Sequence, residues 1–63
     1  MVGETSSIRV NGGHRRVPKG LTVAQLVEEM GLAKATVERN AEPLSDWGRC
    51  VEDGDDYEIF EQL

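Results

Sequence analysis

A chain of 63 residues, 38% hydrophobic and 30% charged with a formal net charge of −5, can build one small core and no second domain. One histidine, His14, and one cysteine, Cys50, are too few for a zinc site of Cys and His ligands, and a lone cysteine forms no internal disulfide. The acidic surplus argues against nucleic acid and for a basic protein partner, and no apolar run approaches the roughly 18 residues that span a bilayer. Residues 1–63 therefore read as one cytoplasmic domain with little room for an enclosed active site, and with no cofactor motif or phosphate-cradling glycine loop.

The first periodic stretch is Ser6 to Asn11, where Ile8 and Val10 alternate with Ser7, Arg9 and Asn11 as in a strand with one buried face. Asn11-Gly12-Gly13 tolerates the positive φ of a tight reversal, and His14 to Pro18 reads as the return strand of a hairpin. Pro18 donates no ladder hydrogen bond, so this strand ends there or lies at an edge. A helix follows. Thr22 and Gln25 have the capping-box spacing, Val23, Leu26, Val27 and Met30 form one apolar stripe, Gln25, Glu28 and Glu29 face water, and Gly31 supplies the left-handed stop.

Beyond Leu32, Ala35 to Asn40 alternates like a strand, Asn40 to Pro43 reads as a turn, and Pro43-Leu44 begins a short extended piece. Ser45-Asp46-Trp47-Gly48 reads as a capped single turn that sets Trp47 against the core. Asp53-Gly54-Asp55 is a turn, and Asp56 to Glu61 is a last strand.

A hairpin, a helix, short strands and a final strand have one economical packing: a mixed sheet of four to five strands on one helix, the last strand parallel to the first. That is an α+β, β-grasp arrangement. Four of the first 20 residues are basic (Arg9, Arg15, Arg16 and Lys19) against one acid, Glu4, whereas eleven acids follow residue 20 with only Lys34, Arg39 and Arg49 to offset them. Pairing the first and last strands predicts Arg9 beside Glu58, with Arg9, Arg15 and Arg16 balancing the C-terminal acids.

The segments Ile8-Arg9-Val10-Asn11-Gly12, Val17-Pro18, Gly20 to Leu26, Val37-Glu38-Arg39-Asn40, Ser45-Asp46-Trp47 and Asp53-Gly54-Asp55, leading into Glu58-Ile59, follow one another in the order of a known family. The chain resembles the ubiquitin-like sulfur carriers of thiamine biosynthesis, relatives of the molybdopterin-synthase small subunit. The resemblance implies a carrier and not an enzyme. An adenylating, E1-like activating enzyme acts on a terminal Gly-Gly carboxylate, sulfur replaces one oxygen to give a thiocarboxylate, and thiazole synthase receives it. Glycine suits that tail because, without a Cβ, it adopts dihedrals that let the chain thread a narrow channel.

This chain reads Phe60-Glu61-Gln62-Leu63 at its end, with Gly54 its last glycine, so no residue here corresponds to the family's Gly-Gly. The expectation is truncation at the edge of the ordered domain; the other reading is a diverged relative, a β-grasp protein-interaction module without the chemistry. A molybdopterin-type carrier is a further alternative, and an enzyme in its own right a distant one.

In the family, the sheet surface near the tail meets the activating enzyme. The resemblance therefore implies a partner interface at Phe60, with Leu44 as companion and Glu58 and Glu61 beside it. Alternation puts Phe60 on the face opposite Tyr57 and Ile59, with buried packing as the other possibility. The acids Glu52, Asp53, Asp55, Asp56, Glu58 and Glu61 either steer a basic partner or form a solvated face. Cys50 has no histidine near it in the sequence and reads as a small buried or half-buried residue, His14 as a surface residue beside a turn, and Trp47 as core filling.

Overall fold

The computed structural model describes residues 3–62. Its elements are β1 (Thr5–Val10), β2 (Gly13–Pro18), α1 (Val23–Glu29), β3 (Ala35–Arg39), β4 (Glu42–Pro43) and β5 (Asp56–Glu61). The strands form one sheet in the order β2-β1-β5-β3-β4, with β1 and β5 parallel at its centre and the other pairings antiparallel. One face packs on α1, giving the β-grasp expected from the order of elements.

Period-two alternation selects that face. Ile8, Val17, Val37, Tyr57 and Ile59 turn inward and meet Val23, Leu26 and Val27 of the helix, with Val51 closing the cluster. Trp47, Leu44, Leu21, Leu32 and Met30 pack around it, half-buried.

The helix begins where its first N–H groups find acceptors. Val23 N–H donates to Arg49 O (3.0 Å), Ala24 N–H to Trp47 O (2.9 Å) and Gln25 N–H to the Thr22 hydroxyl (3.1 Å), while the Gln25 side chain accepts from Thr22 N–H (2.9 Å). The segment 47–50 thus caps α1 from outside. Its own turn is closed by Asp46, whose carboxylate accepts from Gly48 N–H (3.2 Å), and the Trp47 indole donates to Leu44 O (3.1 Å). Met30 closes the helix and Gly31 reverses the chain at φ 75°.

Two asparagines extend the sheet beyond its backbone ladders. Asn11 (φ 51°) and Gly12 (φ 84°) form the β1–β2 turn, and the Asn11 amide donates to Ile59 O (3.1 Å) while accepting from Ile59 N–H (2.8 Å). Asn40 (φ 51°) holds β5 from the other side, donating its backbone N–H to Asp56 O (2.7 Å) and accepting from Asp56 N–H (3.0 Å) on its side chain. The Asn11 contacts lengthen a β1–β5 pairing that has only Arg9↔Asp56 and Val10↔Tyr57 in register, and the Asn40 contacts continue the β3–β5 ladder past Arg39↔Tyr57.

Three expectations are corrected here. The reversal after β3 uses Asn40 and Ala41 alone, so the expected turn ends two residues early, and the extended piece expected at Pro43-Leu44 is the strand Glu42–Pro43. Arg9 lies beside Asp56, not Glu58: Arg9 N–H donates to Asp55 O (2.9 Å) as the chain leaves the Asp53-Gly54 turn, which sets the register two residues earlier. Glu58 faces Glu38 on β3.

Ala41 sits at φ 69°, in the left-handed region where a Cβ is unfavourable. Ala41→Gly relieves this at the cost of a more flexible unfolded chain, and should stabilise the domain by roughly 0.5–1 kcal/mol, raising Tm by a few degrees in a thermal melt. An unchanged or lowered Tm would show that the turn carries no such strain.

Candidate partner interface

The sheet has a second face, which no element covers among the described residues. On β5 it carries Asp56, Glu58 and Phe60; the registers set Arg9 and His14 beside Asp56, Glu38 and Pro43 beside Glu58, and Thr36 beside Phe60. Phe60 is 50% exposed, whereas its neighbours in sequence but not in direction, Tyr57 and Ile59, are buried. An aromatic ring standing on an open sheet face is the residue type that anchors protein interfaces.

Of the four residues expected at the interface, Phe60, Glu58 and Glu61 lie on β5, with Phe60 and Glu61 exposed and Glu58 half-buried. Leu44 does not join them. It packs half-buried against the hydrophobic core, its N–H donating to Val37 O (2.9 Å), so its side chain serves the helix side of the sheet. Alternation carries Glu61 to that same side, opposite Ala35, at the end of the strand.

The open face is divided by charge. Arg16, His14 and Arg9 stand on β2 and β1; Asp56, Glu58 and Glu38 stand on β5 and β3. The expected internal balance is not made: among the described residues, no ion pair includes Arg9, Arg15 or Arg16, and the pairs present join Lys19 to Glu4, Arg39 to Glu52 and Asp55, and Arg49 to Glu52. Glu38 and Glu58 stand directly opposite one another, a like-charge pair that costs stability in a sheet.

What holds β5 in place is a polar cluster at its start. Asp55 is only 5% exposed, and so belongs to no solvated acidic face. Its carboxylate accepts from Arg39 Nη2 (2.9 Å) and Nε (3.1 Å), from the Tyr57 hydroxyl (2.7 Å) and from Glu52 N–H (3.0 Å). Burial pushes the Asp55 carboxyl up, but the Arg39 fork, the Tyr57 hydroxyl, the Glu52 amide and the charge of Arg39 together outweigh it and hold Asp55 below the usual carboxylate range. The bond to Asp55 raises the Arg39 guanidinium, and burial, reinforced by Asp55, pushes the Tyr57 phenol up to about 12.

The pattern contained one signal for this cluster: Ala35, Val37 and Arg39 are in phase on β3, so Arg39 must turn toward the buried side and needs an acid there.

The remaining candidates do not combine into a reactive centre. Cys50 is exposed, against the expectation of a buried or half-buried thiol, because it lies in an isolated bridge to Thr22 at the domain's edge, its Sγ donating to Gly20 O (3.4 Å). His14 is exposed beside the hairpin turn, as expected, and borders a shallow depression of about 390 Å³ with Asp53, Asp55 and Asp56, but no hydrogen bond joins it to them. Trp47 packs against the core. Among the described residues no three His, Cys, Asp or Glu side chains gather as metal ligands, and no helix is long and apolar enough to cross a membrane. Leu63, the position after which a Gly-Gly is expected, lies outside the described residues.

Comparison with protein-family models finds no match, and no curated protein matches the chain significantly. Among solved structures, the thiamine biosynthesis protein ThiS from Geobacter metallireducens is similar: the two superpose with a TM-score of 0.73 at 29% sequence identity, over 90% of this chain and 94% of the other.

The buried cluster predicts how stability depends on pH. Asp55 titrates lower in the folded chain than its ordinary 3.8, so its contribution is present above about pH 4 and is lost as pH falls through the folded value. Tyr57 titrates near 12 in place of 10, so stability is also lost as pH rises from about 10 to 12. Asp55→Asn should cost about 2–4 kcal/mol in urea unfolding at pH 7 and flatten the acid limb; an unchanged limb would assign it to other carboxylates.

Proposed function

We propose that this ThiS-like chain is the sulfur carrier of thiazole formation in thiamine biosynthesis, working in the cytoplasm as the substrate of an adenylating enzyme and the sulfur donor to thiazole synthase. The observation that carries the reading is the likeness in both fold and sequence along nine-tenths of the chain. The open sheet face agrees with it, since a carrier needs a docking surface and a reactive end.

On this reading the division of labour follows from the sheet. The inward side of β5, Tyr57 and Ile59, fixes the strand in the core, while Phe60 and Glu58 on its outward side meet the activating enzyme, with Glu61 continuing toward the chain end. Phe60 supplies apolar contact area, and the acids beside it attract a basic partner surface and speed encounter. Keeping Glu38 opposite Glu58 in spite of its cost fits a surface that a cationic partner completes. The chemistry itself requires a terminal Gly-Gly, whose carboxylate is adenylated with loss of pyrophosphate. The outer sulfur of a donor persulfide then displaces AMP to give an acyl disulfide, and a second thiol attacks the donor's sulfur, releasing the thiocarboxylate and leaving a disulfide on the donor.

The experiment extends the chain by Gly-Gly after Leu63 and supplies the activating enzyme, ATP and a sulfur donor. Intact mass should show one oxygen exchanged for sulfur, and absence of exchange with an enzyme active on another carrier would overturn the reading. Association with a partner that is indifferent to ATP and to the added tail would favour an interaction module instead. In the extended chain, Phe60→Ala should raise the KM for adenylation about tenfold or more while leaving Tm within a few degrees. Glu58→Gln should raise stability by a few tenths of a kcal/mol and slow association with the enzyme.

A further inference from the structure

The sheet ends in two unlike edges. β4 is a two-residue piece, Glu42–Pro43, whereas β2 runs for six residues, Gly13–Pro18, with no strand beyond it among the described residues. The phase of the β1–β2 ladder fixes which β2 groups point outward, because in an antiparallel pair the residues that exchange both hydrogen bonds alternate with those that exchange none. Lys19 N–H donates to Glu4 O (3.0 Å), while Arg9 N–H and Asn11 N–H turn the other way, to Asp55 O and Tyr57 O (both 2.9 Å). Val17 and Arg15 therefore bond inward to Ser6 and Ile8, and the N–H and C=O of His14 and Arg16 point away from the sheet. No backbone bond outside the ladders engages either residue among the described ones. Pro18, next in phase, has no N–H, and its carbonyl accepts from Leu21 N–H (3.2 Å), which closes the open stretch.

The edge between His14 and Arg16 is thus a short window of unpaired donors and acceptors, and the side chains around it are basic. His14 and Arg16 are exposed on the open face with Arg9 next across β1, and Arg15 is half-buried on the helix side. A second β2 is the wrong occupant: paired antiparallel through this window, it sets Arg15 against Arg15 and Arg16 against His14. The same charges that keep two copies apart select an acidic strand. We infer that the outer edge of β2 is a docking site for an extended acidic segment of a partner protein, which joins the sheet antiparallel to β2 with carboxylates at alternate positions, opposite His14 and Arg16.

β2 lies two strands from β5, about 10 Å across the sheet, so the added strand leaves Phe60 and Glu58 uncovered. On the carrier reading, the segment and the activating enzyme are therefore held at the same time. The edge site itself needs neither the tail nor an enzyme.

The probe is a short capped peptide of alternating glutamate and threonine, added to the 63-residue chain. Half-saturation is expected at or below about 1 mM, with amide hydrogen exchange slowed about fivefold or more at His14 and Arg16 and unchanged in α1. The same peptide N-methylated at its glutamates keeps the charge and loses the strand bonds, and should bind about tenfold more weakly or worse. Arg16→Glu should weaken the glutamate peptide about tenfold or more and instead take up a peptide with lysine in place of glutamate, a swap that an unfolded variant would not show. No binding up to about 1 mM overturns the proposal. Equal binding of the methylated peptide, or binding without slowed exchange at His14 and Arg16, reduces the contact to charge alone and overturns it too. Slowing at these amides that grows with chain concentration in the absence of peptide gives the edge to a second copy, and is equally fatal.

Discussion

The buried carboxylate of Asp55 is the contact on which the rest of the architecture depends. A carboxylate at 5% exposure is tolerated only when its lone pairs are filled, and here Arg39, Tyr57 and the Glu52 amide fill them. Those partners come from β3, from β5 and from the loop before β5, so satisfying one charge fastens three pieces of chain that share no local signal. The Asp55 carbonyl then accepts from Arg9 N–H, and this bond sets the register of the central parallel pair.

That register decides what the open face displays. With Arg9 beside Asp56, the outward residues of β5 are Asp56, Glu58 and Phe60, and Glu58 meets Glu38 across β3. A slip of one residue would turn Phe60 into the core and Ile59 into water. The asparagine clamps at Asn11 and Asn40 defend the same register, each bonding the N–H and the C=O of one β5 residue. A small domain with a modest core thus relies on polar contacts of defined geometry for uniqueness as much as on burial for stability.

The arrangement suits a protein that is handled by others. The helix covers one side of the sheet, the other stays open, and the last strand runs through the centre with its inward side anchored and its outward side available. The outward side chains of that strand can change without disturbing the core. Of the two side chains most often recruited for chemistry, Cys50 stands at the edge of the domain beside Thr22 and His14 on the β2 side of the open face, with no hydrogen bond between them.

Much of this was legible in the residues. The hairpin turn at Asn11-Gly12, the Thr22–Gln25 capping box, the helical stripe and the alternation that exposes Phe60 are local: each depends on dihedral preference, hydrogen bonding within a few residues, or the period of one element. The β-grasp order followed from those elements and from the short connections between them. Strand register, the buried Arg39–Asp55–Tyr57 cluster, the half-buried seat of Leu44, the exposure of Cys50 and the absence of ion pairs at Arg9, Arg15 and Arg16 among the described residues were decided only in three dimensions. Each depends on which distant groups meet once the strands align, and a carboxylate in an Asp-Gly-Asp turn gives no local sign of whether water or a guanidinium will fill its lone pairs.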